Sequence, residues 1–277
     1  MSKSANDYIQ TAQIAALHTG DSGSGKSIAS LSKSLRPTYV FDCENRMASA
    51  ISYFRKLDGH INDVTYDTYS MGRGYFPVKS QLDKLKANCP YKTVVVATLT
   101  SYVDIVLEHL RSTDKGSRQS GAQAGKKIAG IAVNELEDFN AETAAIVFDL
   151  LQTLKFLQQM GKNVILEAHL LTHEATRAGK IEIVRPLVTG GKKAAAKVPG
   201  YFDETFYFYN ESDMSGKISY KTMTRATGQV FAKTSFQELP QTIDWTDKDF
   251  YGEVYSKLPA SVTEAEPKVS EELKSNW

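Results

Sequence analysis

The sequence predicts an α/β protein in which a mostly parallel β-sheet is flanked by helices and extended by antiparallel strands on its C-terminal side. Over most of the chain, short apolar runs of strand length alternate with longer stretches whose apolar residues recur at helical spacing. That alternation is typical of parallel strands joined by crossover helices. After about Asp203 the pattern changes to short β-rich runs separated by Ser-Gly and Thr-Gly turns, which favour antiparallel strands.

The elements of the parallel part follow in order. Apolar, β-branched or alternating runs predict strands at residues 13–18, 38–42, 63–69, 93–97 and 163–168. Apolar residues at helical spacing predict helices from the turn after the first strand to about residue 35, then to about residue 57, at 78–87 and at 141–160. The later strands are predicted at 205–209, 217–223 and 229–233.

These elements form one predicted core, residues 1–258, because a chain of 277 residues can bury a sizeable interior without disulfides or metals. Two stretches of this core, residues 111–130 and 174–197, are rich in basic residues and are predicted to be loops. Residues 259–277 are polar and rich in glutamate, so they are predicted to be a disordered acidic tail.

The composition excludes several classes of protein. Lys and Arg number 33 against 32 Asp and Glu, for a net charge of +1, so any nucleic-acid site must be a local basic patch. Cys43 and Cys89 are too few for a disulfide scaffold and indicate a reducing compartment. No apolar run reaches the ~18 residues of a membrane span, and the N-terminus lacks a signal-peptide pattern. We therefore expect a soluble cytoplasmic protein with no membrane partner.

The strongest functional signal is a glycine-rich segment between the first predicted strand and helix. It reads Gly20-Asp-Ser-Gly-Ser-Gly-Lys-Ser27 and fits the phosphate-binding pattern G-x-x-x-x-G-K-[ST]. Backbone N–H groups of such a loop converge on phosphate oxygens at the positive end of the following helix. We expect Lys26 to reach the β- and γ-phosphates of ATP and Ser27 to offer its hydroxyl to Mg²⁺. The predicted nucleotide-binding residues are Gly20, Asp21, Ser22, Gly23, Ser24, Gly25, Lys26 and Ser27.

Two acids, Asp42 and Glu44, follow the second predicted strand, at the sheet edge where α/β proteins bind ligands. Glu44 is therefore a candidate general base, although both acids could instead cap the next helix. The carboxylate expected near the metal at the end of strand 93–97 is absent, because that position is Ala97. Three alternatives stay open: Thr98 or Asp42 substitutes as metal ligand, metal binding is weakened, or the protein is inactive in hydrolysis.

The predicted strand 163–168 ends at His169, on the same sheet edge as the phosphate-binding loop. A polar residue in this position can face the γ-phosphate and report its loss to the loop that follows, so His169 is a candidate catalytic residue beside Lys26 and Glu44. The alternative is a core histidine held by one hydrogen bond.

Together these residues resemble the RecA-like P-loop ATPases of phages, usually labelled AAA-domain proteins, which include RecA-core single-strand-annealing recombinases. The resemblance covers about residues 10–235 and includes Phe41-Asp-Cys-Glu44, Val94-Val-Val-Ala-Thr-Leu-Thr100 and Ala168-His169. It also includes Arg185-Pro-Leu-Val-Thr-Gly-Gly-Lys192, Pro199-Gly-Tyr-Phe-Asp203, Thr222-Met-Thr-Arg225 and Phe231-Ala-Lys233.

The resemblance implies a role for each matched position. Glu44 would activate water, His169 would sense the γ-phosphate, and the loop after His169 would contact DNA. Basic residues near the end of the core would reach a neighbouring subunit's phosphates, with candidates Lys192, Lys193, Arg225 and Lys233. Ala97 departs from the family pattern, which has Asp there. The DNA-binding candidates of the two basic loops are Lys126, Lys127, Arg177, Arg185, Lys192, Lys193 and Lys197.

The predicted function is that of a phage recombination ATPase that binds single-stranded DNA and promotes annealing or strand pairing, as a ring or filament of identical subunits. A ring-type DNA motor or helicase loader, and a nucleotide-dependent scaffold that does not hydrolyse ATP, remain alternatives. The acidic tail ends in Trp277, a pattern that fits either attachment to a partner such as a single-strand-binding protein or a solubilising role.

Overall fold

The computed structural model describes residues 10–58, 61–113, 127–128, 131–132, 140–171, 185–186, 197–227 and 230–265. Its strands, in chain order, are β1 (Ala15–Gly20), β2 (Thr38–Asp42), β3 (Val64–Thr68), β4 (Thr93–Ala97), β5 (Lys127–Ile128), β6 (Ile131–Ala132), β7 (Asn163–Ala168), β8 (Leu170–Leu171), β9 (Arg185–Pro186), β10 (Glu204–Ser212), β11 (Ile218–Met223) and β12 (Thr242–Asp244). Its helices are α1 (Lys26–Ser30), α2 (Met47–Asp58), α3 (Phe76–Ala87), α4 (Leu99–Thr113), α5 (Asn140–Gln159), α6 (Phe250–Tyr255) and α7 (Ala260–Thr263).

The central sheet has eight strands in the order β12-β11-β10-β1-β7-β4-β2-β3. All neighbours from β10 to β3 run parallel, whereas β11 and β12 add as antiparallel strands. The predicted fold class, a mostly parallel sheet flanked by helices with antiparallel strands on the C-terminal side, is therefore confirmed. The strand β7 lies between β1 and β4, so its carboxyl end is beside the phosphate-binding loop.

The parallel strands are where the sequence predicts them, and β2, β4 and β7 match the predicted bounds. The C-terminal side differs in two respects. The strand β10 runs parallel to β1, so the antiparallel part begins only at β11. Where a strand was predicted at 229–233, Lys233 forms an isolated β-bridge to Thr205. The third strand of the C-terminal side is instead β12.

The first helix is shorter than predicted, because α1 ends at Ser30 and a separate 3-10 turn follows at Lys33–Leu35. The Ser30 hydroxyl donates a hydrogen bond back to the Lys26 carbonyl oxygen (3.0 Å). Such side-chain bonds compete with the helical backbone pattern. Pro37 then prevents helix at the residue before it.

Each face of the sheet carries its own apolar core because side chains alternate along a strand. Leu17 points to the face covered by α3, α4 and α5, where Tyr102 and Leu151 are buried. Ala16 points to the opposite face, where α1 and α2 pack. That second core also holds Trp245, so the C-terminal residues cover the face that carries the phosphate-binding loop.

The core extends beyond the predicted boundary at residue 258. Helix α7 follows Pro259, and its Val262 is buried in the second core. The Val262 carbonyl accepts a hydrogen bond from the Ala12 N–H (3.1 Å), which ties this helix to the segment before β1. The rest of the predicted tail, residues 266–277, lies outside the described residues. None of the described helices combines the length and apolar character needed to cross a membrane.

Candidate active site

The glycine-rich segment connects the carboxyl end of β1 to the start of α1, as the motif requires. Gly20 and Gly25 have positive φ angles of 148° and 95°. A Cβ atom at Gly20 would lie 2.3 Å from the Phe208 carbonyl oxygen of β10. The loop therefore passes so close to the neighbouring strand that only glycine fits at position 20.

Replacing Gly25 by alanine is expected to destabilise the fold more than replacing Gly23. Both glycines have positive φ (95° and 81°), so both variants share a backbone cost of about 1 kcal/mol. A Cβ at Gly25 would lie 2.8 Å from Cη2 of the buried Trp245, whereas one at Gly23 would meet nothing within 4 Å. Overpacking adds about 1–3 kcal/mol for Gly25→Ala alone. Urea unfolding that finds equal stability for the two variants would contradict this packing.

The Lys26 side chain is buried inside the loop and its ammonium group is held by backbone oxygens. Its Nζ donates to the carbonyl oxygens of Gly20 and Asp21, both at 2.8 Å. Burial lowers the pKa of Lys26, while the nearby charges of Glu167 and Glu44 oppose that shift. The loop thus concentrates a positive charge among backbone groups at the end of β1, where phosphate groups are expected.

A buried chain of hydrogen bonds holds α1 beneath the loop. His18 Nε2 lies 2.8 Å from the Tyr251 hydroxyl, and His18 Nδ1 lies 3.1 Å from the Ser30 hydroxyl. Burial lowers the pKa of His18 to about 3, so its imidazole is neutral near pH 7. In that form one ring nitrogen donates and the other accepts. The sequence assigned no role to His18, because its partners lie far along the chain.

The structure brings Ser27 to Glu167, a residue that the sequence prediction missed. The Ser27 hydroxyl donates to Glu167 Oε2 at 2.8 Å, and the Glu167 side chain is fully buried at the end of β7. Burial raises the pKa of this carboxyl, and the charge of Lys26 acts in the opposite direction. One glutamate within the apolar run 163–168 is the only sequence signal that could have indicated it.

Glu44 and His169 meet at the carboxyl edge of the sheet, as their strand positions suggested. His169 Nε2 lies 2.7 Å from Glu44 Oε1, and the Thr98 hydroxyl donates to the same oxygen at 2.7 Å. The Glu44 side chain is only 14% exposed. Burial would raise its pKa, but the bonds from His169 and Thr98 and the charges of His169 and Arg46 lower it to about 2. Glu44 is therefore an ionised carboxylate near neutral pH.

Asp42 supports the start of α2. Its carboxylate oxygens accept the backbone N–H groups of Arg46 (3.1 Å) and Met47 (3.3 Å), which is the capping arrangement considered from the sequence. The structure joins Glu167, and not Asp42, to Ser27 by a hydrogen bond. A metal-binding role for Asp42 stays a prediction.

The predicted DNA-binding and subunit-contacting residues lie largely beyond what the structure describes. Lys126, Arg177, Lys192 and Lys193 are outside the described residues, while Lys127 is in β5 and Arg185 is in β9. Lys197 is exposed, and its Nζ lies 5.7 Å from the centre of the Phe148 ring. Their proposed contacts stay predictions.

Arg225 and Lys233 lie at the same cavity on the C-terminal side. Together they line an open cavity of about 490 Å³, and Arg225 donates to the Gln237 carbonyl oxygen. Partial burial lowers the pKa of Lys233. The proposed reach of these two residues to a neighbouring subunit stays a prediction.

One comparison with known protein families matches most of the chain. A family model described as an AAA domain matches residues 12–236. No curated protein sequence matches the chain. Among solved structures, an uncharacterized protein of Pyrococcus horikoshii, PH0321, determined with an unknown peptide, has 10% identity and a TM-score of 0.37, covering 84% of this chain and 91% of that one. The Legionella pneumophila ATPase DotB has 10% identity and a TM-score of 0.30, covering 77% of this chain and 46% of that one.

The residues matched by the family model include the whole phosphate-binding loop, Glu44, Glu167 and His169. They also include the parallel strands that bring these side chains to one edge of the sheet. The chain therefore belongs to the AAA domain family, as a nucleotide-binding domain of the AAA ATPase type.

Proposed function

We propose that this AAA domain protein is a phage recombination ATPase that binds single-stranded DNA and promotes annealing or strand pairing under control of ATP. The main support is the 2.7 Å contact between Glu44 Oε1 and His169 Nε2. It connects a carboxylate suited to orienting water with the residue just before the basic segment 174–197. A change at the γ-phosphate would therefore act on His169 and on the chain that follows.

The residues at the end of β1 fit ATP with Mg²⁺. Lys26 offers its ammonium group to phosphate oxygens, and Ser27 offers a hydroxyl oxygen to the metal. Within the described ranges, no group of three or more His, Cys, Asp or Glu side chains is arranged to hold a metal alone. The metal would thus share its ligands with the nucleotide, as in other P-loop proteins. Mg²⁺ supplies charge neutralisation on the β- and γ-phosphates when bound.

Glu44 is the residue that would orient the attacking water. With its pKa lowered to about 2 it is ionised and accepts hydrogen bonds, but it is a weak base. Its contribution is therefore alignment of the water, with Thr98 and His169 fixing the carboxylate. His169 contacts the carboxylate that would align the water, so water binding and the position of His169 are coupled.

Single-stranded DNA binding is proposed to use the basic segments 111–130 and 174–197. A basic groove that follows the phosphate backbone binds single strands with little sequence preference. Lys197, the last residue of the segment 174–197, is exposed to solvent. With a net charge of only +1, such local charge is what the protein can offer to DNA.

Replacing Lys192, Lys193 and Lys197 by alanine is expected to weaken single-stranded DNA binding and to flatten its salt dependence. Each lost phosphate contact lowers the log–log salt slope by about 0.7. The measurement is fluorescence anisotropy of a labelled oligonucleotide over a salt series, with and without ATP. A matched control replaces the exposed Lys56, Lys84 and Lys217, which removes the same charge elsewhere on the surface. Equal slopes for the two triple variants and the parent would refute this DNA site.

A nucleotide-dependent scaffold that does not hydrolyse ATP is the second candidate, and Ala97 is the observation that favours it. ATP turnover stimulated by single-stranded DNA, together with annealing, would support the recombination ATPase. Turnover coupled to duplex unwinding would favour a ring-type motor or loader. ATP binding and assembly of identical subunits without turnover would favour the scaffold. Pull-down with and without residues 266–277 tests recruitment of a single-strand-binding protein.

A further inference from the structure

The carboxyl end of β4 lacks an acid that could face a metal. The last residue of β4, Ala97, is buried and carries only a methyl group. The next residue, Thr98, donates its hydroxyl hydrogen to Glu44. Asp42, which pairs with Ala97 across the sheet, accepts two backbone N–H groups of the α2 start. The Thr98 hydroxyl and the Asp42 carboxylate are therefore committed to other contacts.

The sheet register places another acid beside Ala97. Strands β4 and β7 pair Val94 with Val164, Val95 with Ile165, and Val96 with Leu166. One further step brings Ala97 next to Glu167, and neighbours in register point to the same face of a sheet. Because β7 lies between β4 and β1, Glu167 is one strand closer to the phosphate-binding loop, and it pairs with His18 of β1.

The contacts of Glu167 leave one carboxylate oxygen without a partner among the described residues. Oε2 accepts the Ser27 hydroxyl hydrogen, but the buried Oε1 has no hydrogen-bond partner there. Ser30 lies close enough to lower the pKa of the Glu167 carboxyl. The Ser30 hydroxyl, however, donates its hydrogen to the Lys26 carbonyl oxygen. An unpaired buried carboxylate oxygen is costly unless a ligand satisfies it.

We propose that Glu167 is the carboxylate that faces the Mg²⁺ of bound ATP, in the role that an acid at position 97 would otherwise fill. The inference rests on the proposed ATP binding and names the metal-side residue of that same site. The Ser27 hydroxyl donates its hydrogen to Glu167, so its oxygen lone pairs stay available to a cation. The free Oε1 supplies an acceptor for a water molecule of the ion.

A purely structural role for Glu167 makes a different prediction. If the carboxylate only holds Ser27 and α1 in place, its loss would weaken nucleotide binding equally with and without Mg²⁺. If it faces the metal, the loss is confined to the Mg²⁺-dependent part of the affinity. The two roles are therefore separated by metal dependence, whatever the rate of ATP turnover.

The test compares the parent with Glu167→Gln, which keeps the side-chain shape and an oxygen that can accept the Ser27 bond. Calorimetry measures the affinity for an ATP analogue with an imido bridge between the β- and γ-phosphates, in excess Mg²⁺ and in excess chelator. We expect unchanged affinity in chelator and a loss of about 10- to 100-fold in the gain that Mg²⁺ provides. The affinity of the complex for Mn²⁺, measured from the EPR signal of free Mn²⁺, should fall by a similar factor.

The second variant moves the acid back to β4. Adding Ala97→Asp to Glu167→Gln should restore most of the Mg²⁺-dependent gain, because positions 97 and 167 are neighbours on one face of the sheet. Restoration also shows that charge near the metal was what the single variant lacked, while its unchanged affinity in chelator shows that the single variant folds. Failure of Asp at position 97 to restore any gain would count against the proposed equivalence of the two positions.

Three results would overturn the inference. The first is that Mg²⁺ raises the affinity for the analogue equally in the parent and in Glu167→Gln. The second is that Glu167→Gln loses the same affinity with and without Mg²⁺. The third is that the affinity of the parent does not depend on Mg²⁺. In all three the parent still binds nucleotide, so the proposed nucleotide-binding function survives. A folded parent that does not bind the analogue at all would instead refute the proposed function and the inference with it.

Discussion

Lys26→Ala is expected to reduce ATP affinity by about 100-fold or more while leaving the fold intact. The Lys26 ammonium is held 2.8 Å from the carbonyl oxygens of Gly20 and Asp21, inside the loop where phosphates are expected. Hydrogen bonds to charged groups contribute about 1.5–3 kcal/mol each. Two such bonds from the Lys26 ammonium to phosphate oxygens therefore correspond to about a 100-fold change in ATP affinity or more. Calorimetric titration with ATP and Mg²⁺ measures the effect directly.

The matched control is Lys33→Ala, which removes a lysine of equal charge from the exposed 3-10 turn a short distance further along the chain. Its ATP affinity should equal that of the parent. Unfolding of Lys26→Ala in urea distinguishes a lost phosphate contact from a lost fold, because the first leaves the cooperative transition in place. Parental ATP affinity in folded Lys26→Ala would refute the assignment of the loop.

The fold was predictable where the information is local. Strands β2, β4 and β7 are continuous buried runs between turns, so their bounds follow from apolar pattern alone. The phosphate-binding loop was predictable for the same reason, since all its residues are adjacent in sequence. The predicted antiparallel direction of β10 was wrong, because apolar pattern does not tell beside which strand a segment adds or which way it runs.

The candidate site was predictable residue by residue, but its contacts were not. Glu44 and His169 were each proposed from their positions at strand ends, whereas their 2.7 Å contact depends on how the strands are ordered. Glu167 was missed because it is one polar residue in a run that predicts a buried strand, and its partner Ser27 is 140 positions away. Only the register of β7 beside β4 relates it to Ala97.

The same reasoning explains why Ala97 left three alternatives open from the sequence alone: a substitute ligand, weakened metal binding or loss of hydrolysis. The sequence shows that the expected acid is absent at the end of β4, but a replacement on a neighbouring strand is invisible without the sheet order. Glu167 near the end of β7 is the replacement that we propose, and it accepts the Ser27 hydroxyl hydrogen and is fully buried. Hydrolysis is therefore expected of the parent protein, which makes the effect of a Glu44 variant measurable.

Glu44→Gln is expected to slow ATP hydrolysis by about 10²- to 10⁴-fold with little change in ATP affinity. The amide keeps the shape of the carboxylate and one oxygen for the Thr98 hydroxyl, but it loses the charge that aligns and polarises water. Glu44 is hydrogen-bonded to Thr98 and His169, whereas the Lys26 ammonium bonds to carbonyl oxygens of the loop, so the change should leave the phosphate contacts in place. Steady-state phosphate release and a parallel ATP titration separate the two effects.

The control for that measurement is Glu238→Gln, which makes the same chemical change at an exposed position on the C-terminal side. It should hydrolyse ATP at the parental rate. The pH dependence of the rate adds a second check. The pKa of Glu44 is lowered to about 2, so this carboxylate is protonated only as the pH falls toward that value. The titration of Glu44 should therefore cause no change in the rate of hydrolysis between about pH 5 and pH 8. If Glu44→Gln hydrolyses ATP as fast as the parent, the water is oriented by another residue, and the contact between Glu44 and His169 loses its proposed role in coupling ATP to DNA.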